Sequence, residues 1–414
     1  MNTQNLAVTI RQVVLHINAH LDEFLALFLL RTYGEECFPG IKTAAIRYSE
    51  SDIKGSDEKY DRDGILPIGC GGGRFDEHTP EGERIEDETA TTLVADYLGI
   101  ESKSELTKLL NEAYTCDTQG RTNTTQLAEI IKAANRCHRQ NGTNQVMQIA
   151  YKALAAIVNQ EEYHFAATPG EKTLLEIFRA EVDKGNYSAN PKVRATLFNL
   201  VHASMKAKDD RVTELAHIVE CLYRHGHRDE DVQAWVEFVL CALETDQMEF
   251  QEQVEIAKQI RPIPVYVQQG VREERMRLLV VRSDSPLAQK AARYRGAEII
   301  LLAKSSGNYQ IFIDKRIEGL NLANAIRMIR WLELPQGDKA DANWLDLDKE
   351  GKLERVPHWY YFKRAEMIFN GSETHKVPPT EICTHALVEV LRHAFCYSRV
   401  KKWCNHHDRQ INMN

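Results

Sequence analysis

Hydrophobic periodicity changes twice along this chain, and no other feature constrains the fold as tightly. Up to about residue 123, short β-branched runs alternate with segments of helical spacing. QVVLH at 12–16, TAAIRYS at 43–49 and ILPIG at 65–69 read as strands. The stretch DEFLALFLLRTYGEE reads as a helix with Asp22 and Glu23 in its first turn, where acidic side chains favour the helix dipole. Residues 89–98 and 103–115 also read as helices, and the polar run SDIKGSDEKYDRDG reads as a loop. Strand–helix alternation of this kind predicts a parallel sheet.

From 124 to 260 strand runs nearly vanish. LAEIIKAA, VMQIAYKALAAIV, TLLEIFRAEV, VRATLFNLV, ELAHIVECLY and VQAWVEFVLCALE each carry apolar residues at amphipathic helical spacing, without a fixed-period repeat. Arg261-Pro262-Ile263-Pro264 marks a boundary. Beyond it the strands VYVQQ, MRLLVVR, EIILLAK and YQIFIDK interleave with the helices LAQKAARY and LANAIRMIRWL. A last helix over 380–394 precedes a polar tail that reads as frayed. The expected fold is α/β. A parallel-sheet N-terminal domain covers 1–123, a helical region over 124–260 completes or links it, and a smaller α/β C-terminal domain covers 262–400.

Composition sets limits on function. The chain has 414 residues, 43% of them hydrophobic, which is enough to offset the entropy of folding and excludes general disorder. The formal charge of −8 argues against a dedicated duplex-DNA coat and leaves room for a local basic groove. FLALFLL is the best membrane candidate, but it is far too short and is flanked by Asp22, Glu23 and Arg31. The opening MNTQNLAVTIRQVVLHI does not read as a secretory leader. Nine cysteines with no CxxC read as reduced thiols, a cytoplasmic pattern, and not as a disulfide framework or zinc ribbon.

Chemistry concentrates at the strand ends. His16, His20 and Asp22 stand at i, i+4 and i+6 where the first strand turns into the first helix. Open α/β sheets bind ligands at that edge, and imidazole with carboxylate suits manganese, zinc or iron. The third strand ends in Gly69-Cys70-Gly71-Gly72-Gly73-Arg74-Phe75-Asp76-Glu77-His78. Its glycines permit close backbone approach to an anion, and two carboxylates and an imidazole follow at once. Asp117 closes a helix in EAYTCDTQG. Each segment also has a plainer reading: a structural histidine loop, a Gly-rich turn with solvated charges, and a helix-terminal Asp.

Taken in this order, the three segments resemble the DHH phosphoesterase superfamily, whose motifs are H-x-x-x-D-x-D, D-H-H and a later lone Asp. The branch most similar is the MYG-type metal-dependent nuclease family. There the first motif carries a second His and a D-E pair, here His20 and Asp22-Glu23. Its D-H-H follows a Gly-Gly turn and an aromatic residue, here Gly71-Gly72 and Phe75-Asp76-Glu77-His78. The family's C-terminal strand–Ser-Gly–strand hairpin is matched by ILLAKSSGNYQIFI. A late substrate loop is matched by Asn370-Gly371-Ser372 through His375-Lys376.

The resemblance implies hydrolysis of phosphodiester bonds at a divalent metal centre, usually manganese, with magnesium or zinc as alternatives. His16, His20, Asp22, Asp76, Glu77 and Asp117 would hold one or two ions, with Asp22, His78 and Asp117 catalytic. Arg74 and His78 would meet substrate phosphate, Arg74 having a surface ion pair as its other reading. Asn370, Gly371, Ser372, His375 and Lys376 would grip the backbone of a nucleic acid or nucleotide. Trp359, Tyr360 and Tyr361 could stack bases or simply pack in a strand core.

Two positions depart from the family pattern. The Asp expected at the end of the third strand, which bridges two metals in the family, is Gly69. The D-H-H motif reads D-E-H, with Glu77 in place of an imidazole. Three readings follow: a phosphodiesterase or exonuclease acting on single-stranded nucleic acid or short oligonucleotides; a phosphoesterase acting on a small phosphorylated molecule or cyclic nucleotide; and a metal- or nucleotide-binding module with weak turnover. The apolar faces of the helical region could also serve a homodimer.

Overall fold

The computed structural model describes residues 9–49, 53–78, 85, 87–137, 143–159, 174–186, 190–339, 341–371 and 377–407. The chain is mixed α/β and divides into two compact units, Met1–Met248 and Glu249–Asn414. The first contains a small parallel sheet and the second a larger mixed one.

In the first unit, strand β1 (Gln12–His16) precedes helix α1 (Leu21–Tyr33), followed by β2 (Ala45–Ser49), α2 (Asp57–Asp63) and β3 (Ile65–Pro67). The sheet order is β2-β1-β3, all parallel, as the alternation predicts. Val13, Val14 and Leu15 are buried, so β1 is central in burial as well as in order. Every residue of α1 from Leu21 to Leu30 is buried. FLALFLL is therefore apolar because it is enclosed by protein. Among the described residues no helix is long and apolar enough to cross a membrane.

Helix α2 lies where the sequence reads as a loop. Only Tyr60 of its residues is buried, and a single buried side chain leaves no apolar period to detect. Gly64 ends the helix at φ +63, the left-handed conformation that glycine adopts without penalty.

Helices α3 (Ala90–Leu98), α4 (Ser104–Gln119), α5 (Leu127–Cys137), α6 (Thr143–Val158), α7 (Leu174–Asp183), α8 (Pro191–Ala207), α9 (Leu215–Arg224) and α10 (Asp229–Gln259) follow. One buried cluster runs from Ile10 of the strand region to Leu243 of α10, so the helical stretch and the sheet share a core. Thr125-Gln126-Leu127 and Thr213-Glu214-Leu215 lock reciprocally. Leu127 N–H donates to the Thr213 carbonyl and Leu215 N–H to that of Thr125, both at 2.9 Å.

The second unit begins inside α10. Strands β4 (Ile263–Gln269) and β5 (Arg272–Arg282), helix α11 (Ala288–Tyr294), β6 (Ile299–Ala303), β7 (Tyr309–Ile313) and helix α12 (Ala323–Glu333) follow. β8 (Gly351–Leu353), β9 (Val356–Phe362), β10 (Met367–Phe369), α13 (Thr384–His393) and α14 (Tyr397–His406) complete it. The sheet order is β4-β5-β6-β7-β10-β9-β8, with β5 and β6 parallel and the other pairs antiparallel. Ile299 and Leu301 enter one core and Ile300 and Leu302 another, which explains why β6 is apolar at every position.

One expectation fails here, and one choice left open by the sequence is decided. The described part of the tail is helical from Tyr397 to His406, not frayed: Val400, Trp403 and Cys404 are buried, and His407 stacks on Trp403 at 4.1 Å, while 408–414 lie outside the described residues. Trp359 and Tyr361 have no exposed surface, so they pack in the core and cannot stack bases.

Candidate functional site

All three strands of the first sheet run parallel, so the turns after β1 and β3 leave the same edge of the sheet. After His16 the chain passes through Asn18 at φ +60, and Asn135 of α5 donates to the Ala19 carbonyl at 3.0 Å. His20 caps α1. Glu23 accepts the His20 backbone N–H at 2.8 Å, and its Oε2 lies 3.1 Å from His20 Nδ1. Asp22, 4% exposed, accepts the N–H groups of Ala90 at 2.9 Å and Thr91 at 3.0 Å, the first two residues of α3. The Thr91 hydroxyl donates to the Asp22 carbonyl at 2.8 Å. Two amides of a helix N-terminus thus fix this carboxylate.

The turn after β3 is built on Gly69, Gly71 and Gly72, all at positive φ. Asp76 closes it by accepting the Gly72 N–H at 2.7 Å, while its other oxygen accepts the His78 N–H and meets His78 Nδ1, both at 3.0 Å. Phe75, fully buried against Phe38 with rings 5.7 Å apart, anchors the turn. Glu77 is thereby directed inward, 8% exposed, and its Oε2 is buried without a hydrogen-bond partner.

The ligand atoms of Asp22, Glu77 and Asp117 lie within 4.8 Å of one another. These residues come from α1, from the turn after β3 and from α4. Burial first, then the charge of Asp22, pushes the Glu77 carboxyl up to about 8. Burial, then Asp117 and Glu23, raises Asp22 to about 6. Glu23 behaves oppositely: burial pushes it up, but the His20 charge and hydrogen bond outweigh this and hold it at about 2. His20 in turn is raised to about 9, chiefly by Glu23. Three carboxylates at this spacing repel one another and leave one oxygen unsatisfied, a donor set that could hold a divalent cation. Oxygen ligands alone suit manganese or magnesium better than zinc.

The remaining sequence-derived residues are placed as follows. Asp76, Glu77 and His78 also lie within 4.8 Å, but both Asp76 oxygens are committed to its own turn. His16 ends β1 with Nδ1 buried and unbonded, burial lowers its pKa, and its ring lies 6.3 Å from that of His20. Neither histidine belongs to the Asp22–Glu77–Asp117 set. Arg74 sits 2.6 Å from Asp61 and 3.5 Å from Asp57, tying the glycine turn to α2 in the plainer of its two readings. In the second unit Asn370 is fully buried, accepting from Asn308 and Thr380 and donating to the His358 carbonyl, which makes it a structural tie. Gly371 follows at φ +80. Ser372, His375 and Lys376 lie outside the described residues.

Two residues of the site escape sequence reasoning. Asn135 holds the His16–His20 loop from 116 positions away, and no local signal announces that pairing. Glu23 is visible as a first-turn acid, but its packing against Gly69 is not: a Cβ built at Gly69 would lie 2.8 Å from Glu23 Cγ.

No family model matches this sequence, and no curated protein matches it. Among solved structures, the crystal structure of an uncharacterized protein from Helicobacter pylori G27 is 10% identical, covering 93% of this chain and 99% of that one, with a TM-score of 0.16. Similarity at that level carries no argument about fold or function.

Proposed function

We propose that this chain is a DHH-like, divalent-metal-dependent phosphodiesterase that hydrolyses single-stranded nucleic acid or short oligonucleotides. The observation that carries the reading is the approach of Asp22, Glu77 and Asp117 to within 4.8 Å, with the buried Glu77 Oε2 lacking a partner. An ion bound there supplies Lewis acidity toward a phosphoryl oxygen and a water acidified toward neutral pH. Asp22 keeps its orientation because α3 holds it. Glu77 gives up its proton when a cation binds, so binding releases protons. Asp76 holds His78 by Nδ1–H, which leaves Nε2 to meet substrate, and the imidazolium form would donate Nε2–H to a phosphate oxygen. The nine cysteines of the sequence include no CxxC spacing, which supports a reducing compartment such as the cytoplasm.

The test is hydrolysis with Mn²⁺ of single-stranded RNA, single-stranded DNA and short oligonucleotides by wild type, Glu77→Gln and Asp117→Asn. Cleavage by wild type that falls at least 100-fold in both variants is expected. Metal bound by wild type without any cleavage would replace this reading with the binding module. An absence of metal binding would overturn the site itself.

A further inference from the structure

The turn after β3 lacks a side chain at position 69, and the space it would fill is not empty. Gly69 has φ +63, and a Cβ there would meet Glu23 Cγ at 2.8 Å and Oε1 at 3.3 Å. Glu23 reaches this place from α1, 4% exposed. Its carboxylate is committed to His20, by the backbone N–H at 2.8 Å and Nδ1 at 3.1 Å. The ion pair with Glu23 occupies one ring nitrogen of His20, and neither His16 nor His20 joins the close carboxylate set. The buried, unpartnered Glu77 Oε2 belongs to the Asp22–Glu77–Asp117 set.

We propose that Glu23 plugs the position beside the carboxylate set where a second ion would lie, so that the centre takes a single divalent cation on oxygen ligands. This rests on the reading of Asp22, Glu77 and Asp117 as a metal centre. In the phosphoesterase family that the sequence resembles, a carboxylate at the position of Gly69 bridges two ions. The same volume filled by a helix residue already paired with a histidine leaves room for one. The oxygen-only set also makes the site selective for hard ions, manganese and magnesium over zinc.

The experiment measures metal stoichiometry on the full chain, by titration calorimetry with Mn²⁺ and by electron paramagnetic resonance of the loaded protein. Wild type should take one equivalent and give the spectrum of an isolated Mn²⁺ ion. The double variant Glu23→Ala/Gly69→Asp vacates the space and restores that carboxylate, and Asp tolerates positive φ better than most residues. It should take two equivalents, with an exchange-coupled spectrum. Two equivalents in wild type would overturn the proposal, as would a loss of metal in Glu23→Ala alone, which would make Glu23 a ligand. No binding by wild type would overturn the metal centre and this proposal together. Wild-type stoichiometry decides the matter even where the double variant fails to fold.

Discussion

Glu77→Gln should make the metal-free protein more stable at neutral pH. The Glu77 carboxyl is held at about 8 against an ordinary 4.5, by burial first and Asp22 second. A raised carboxyl contributes stability that is complete below its unfolded pKa of 4.5 and is lost as pH climbs through 8. At about 1.4 kcal/mol per pH unit between 4.5 and 7, the wild type has given up about 3 kcal/mol by pH 7. Glutamine keeps the shape of the protonated acid and has no proton to lose. The variant should therefore match wild type near pH 5 and exceed it by about 3 kcal/mol at pH 7, roughly 6–12 °C in the transition of the first unit. Saturating Mn²⁺ reverses the order: a cation at about 1,000 times its dissociation constant adds about 4.1 kcal/mol to wild type and far less to the variant. Calorimetric melts at both pH values, with and without Mn²⁺, read all four states. A variant less stable than wild type at pH 7 without metal would refute the electrostatic argument, and an undiminished Mn²⁺ shift would refute Glu77 as a ligand.

Asn135→Ala should cost about 1–3 kcal/mol by leaving the buried Ala19 carbonyl without its donor, and should weaken Mn²⁺ binding without changing its stoichiometry. Thermal melts and titration calorimetry on the same samples check both parts. In the second unit, Arg330 is fully buried and donates to the carbonyls of Leu347, Lys349, Gly351 and Trp359 at 2.5–3.1 Å. Arg330→Met should lower the stability of that unit by at least about 3 kcal/mol, seen as a fall in its urea midpoint, because four acceptors lose one donor group.

Much of the fold was legible because burial writes itself into periodicity. β1 and β6 announce themselves as unbroken apolar runs, and α1 as a helix too short to cross a membrane yet apolar all round. Elements that bury little were not legible. Helix α2 buries only Tyr60, and α14 hides Val400, Trp403 and Cys404 among lysines, a histidine and an asparagine. The site was legible as an inventory but not as a selection. Asp22, Asp76, Glu77 and Asp117 are equally acidic in sequence. Only the fold shows that Asp76 is consumed by its own turn, while Asp22, Glu77 and Asp117 approach one another. The Gly69 departure shows the same limit most clearly. Read along the chain, it is a lost carboxylate. In space, Glu23 fills the volume that a side chain at 69 would take. The two positions form one packing unit shared by a helix and the turn after β3, so neither can be interpreted or mutated alone. Gly69→Asp by itself would drive a new side chain into Glu23, whereas the same change with Glu23 removed has room to act.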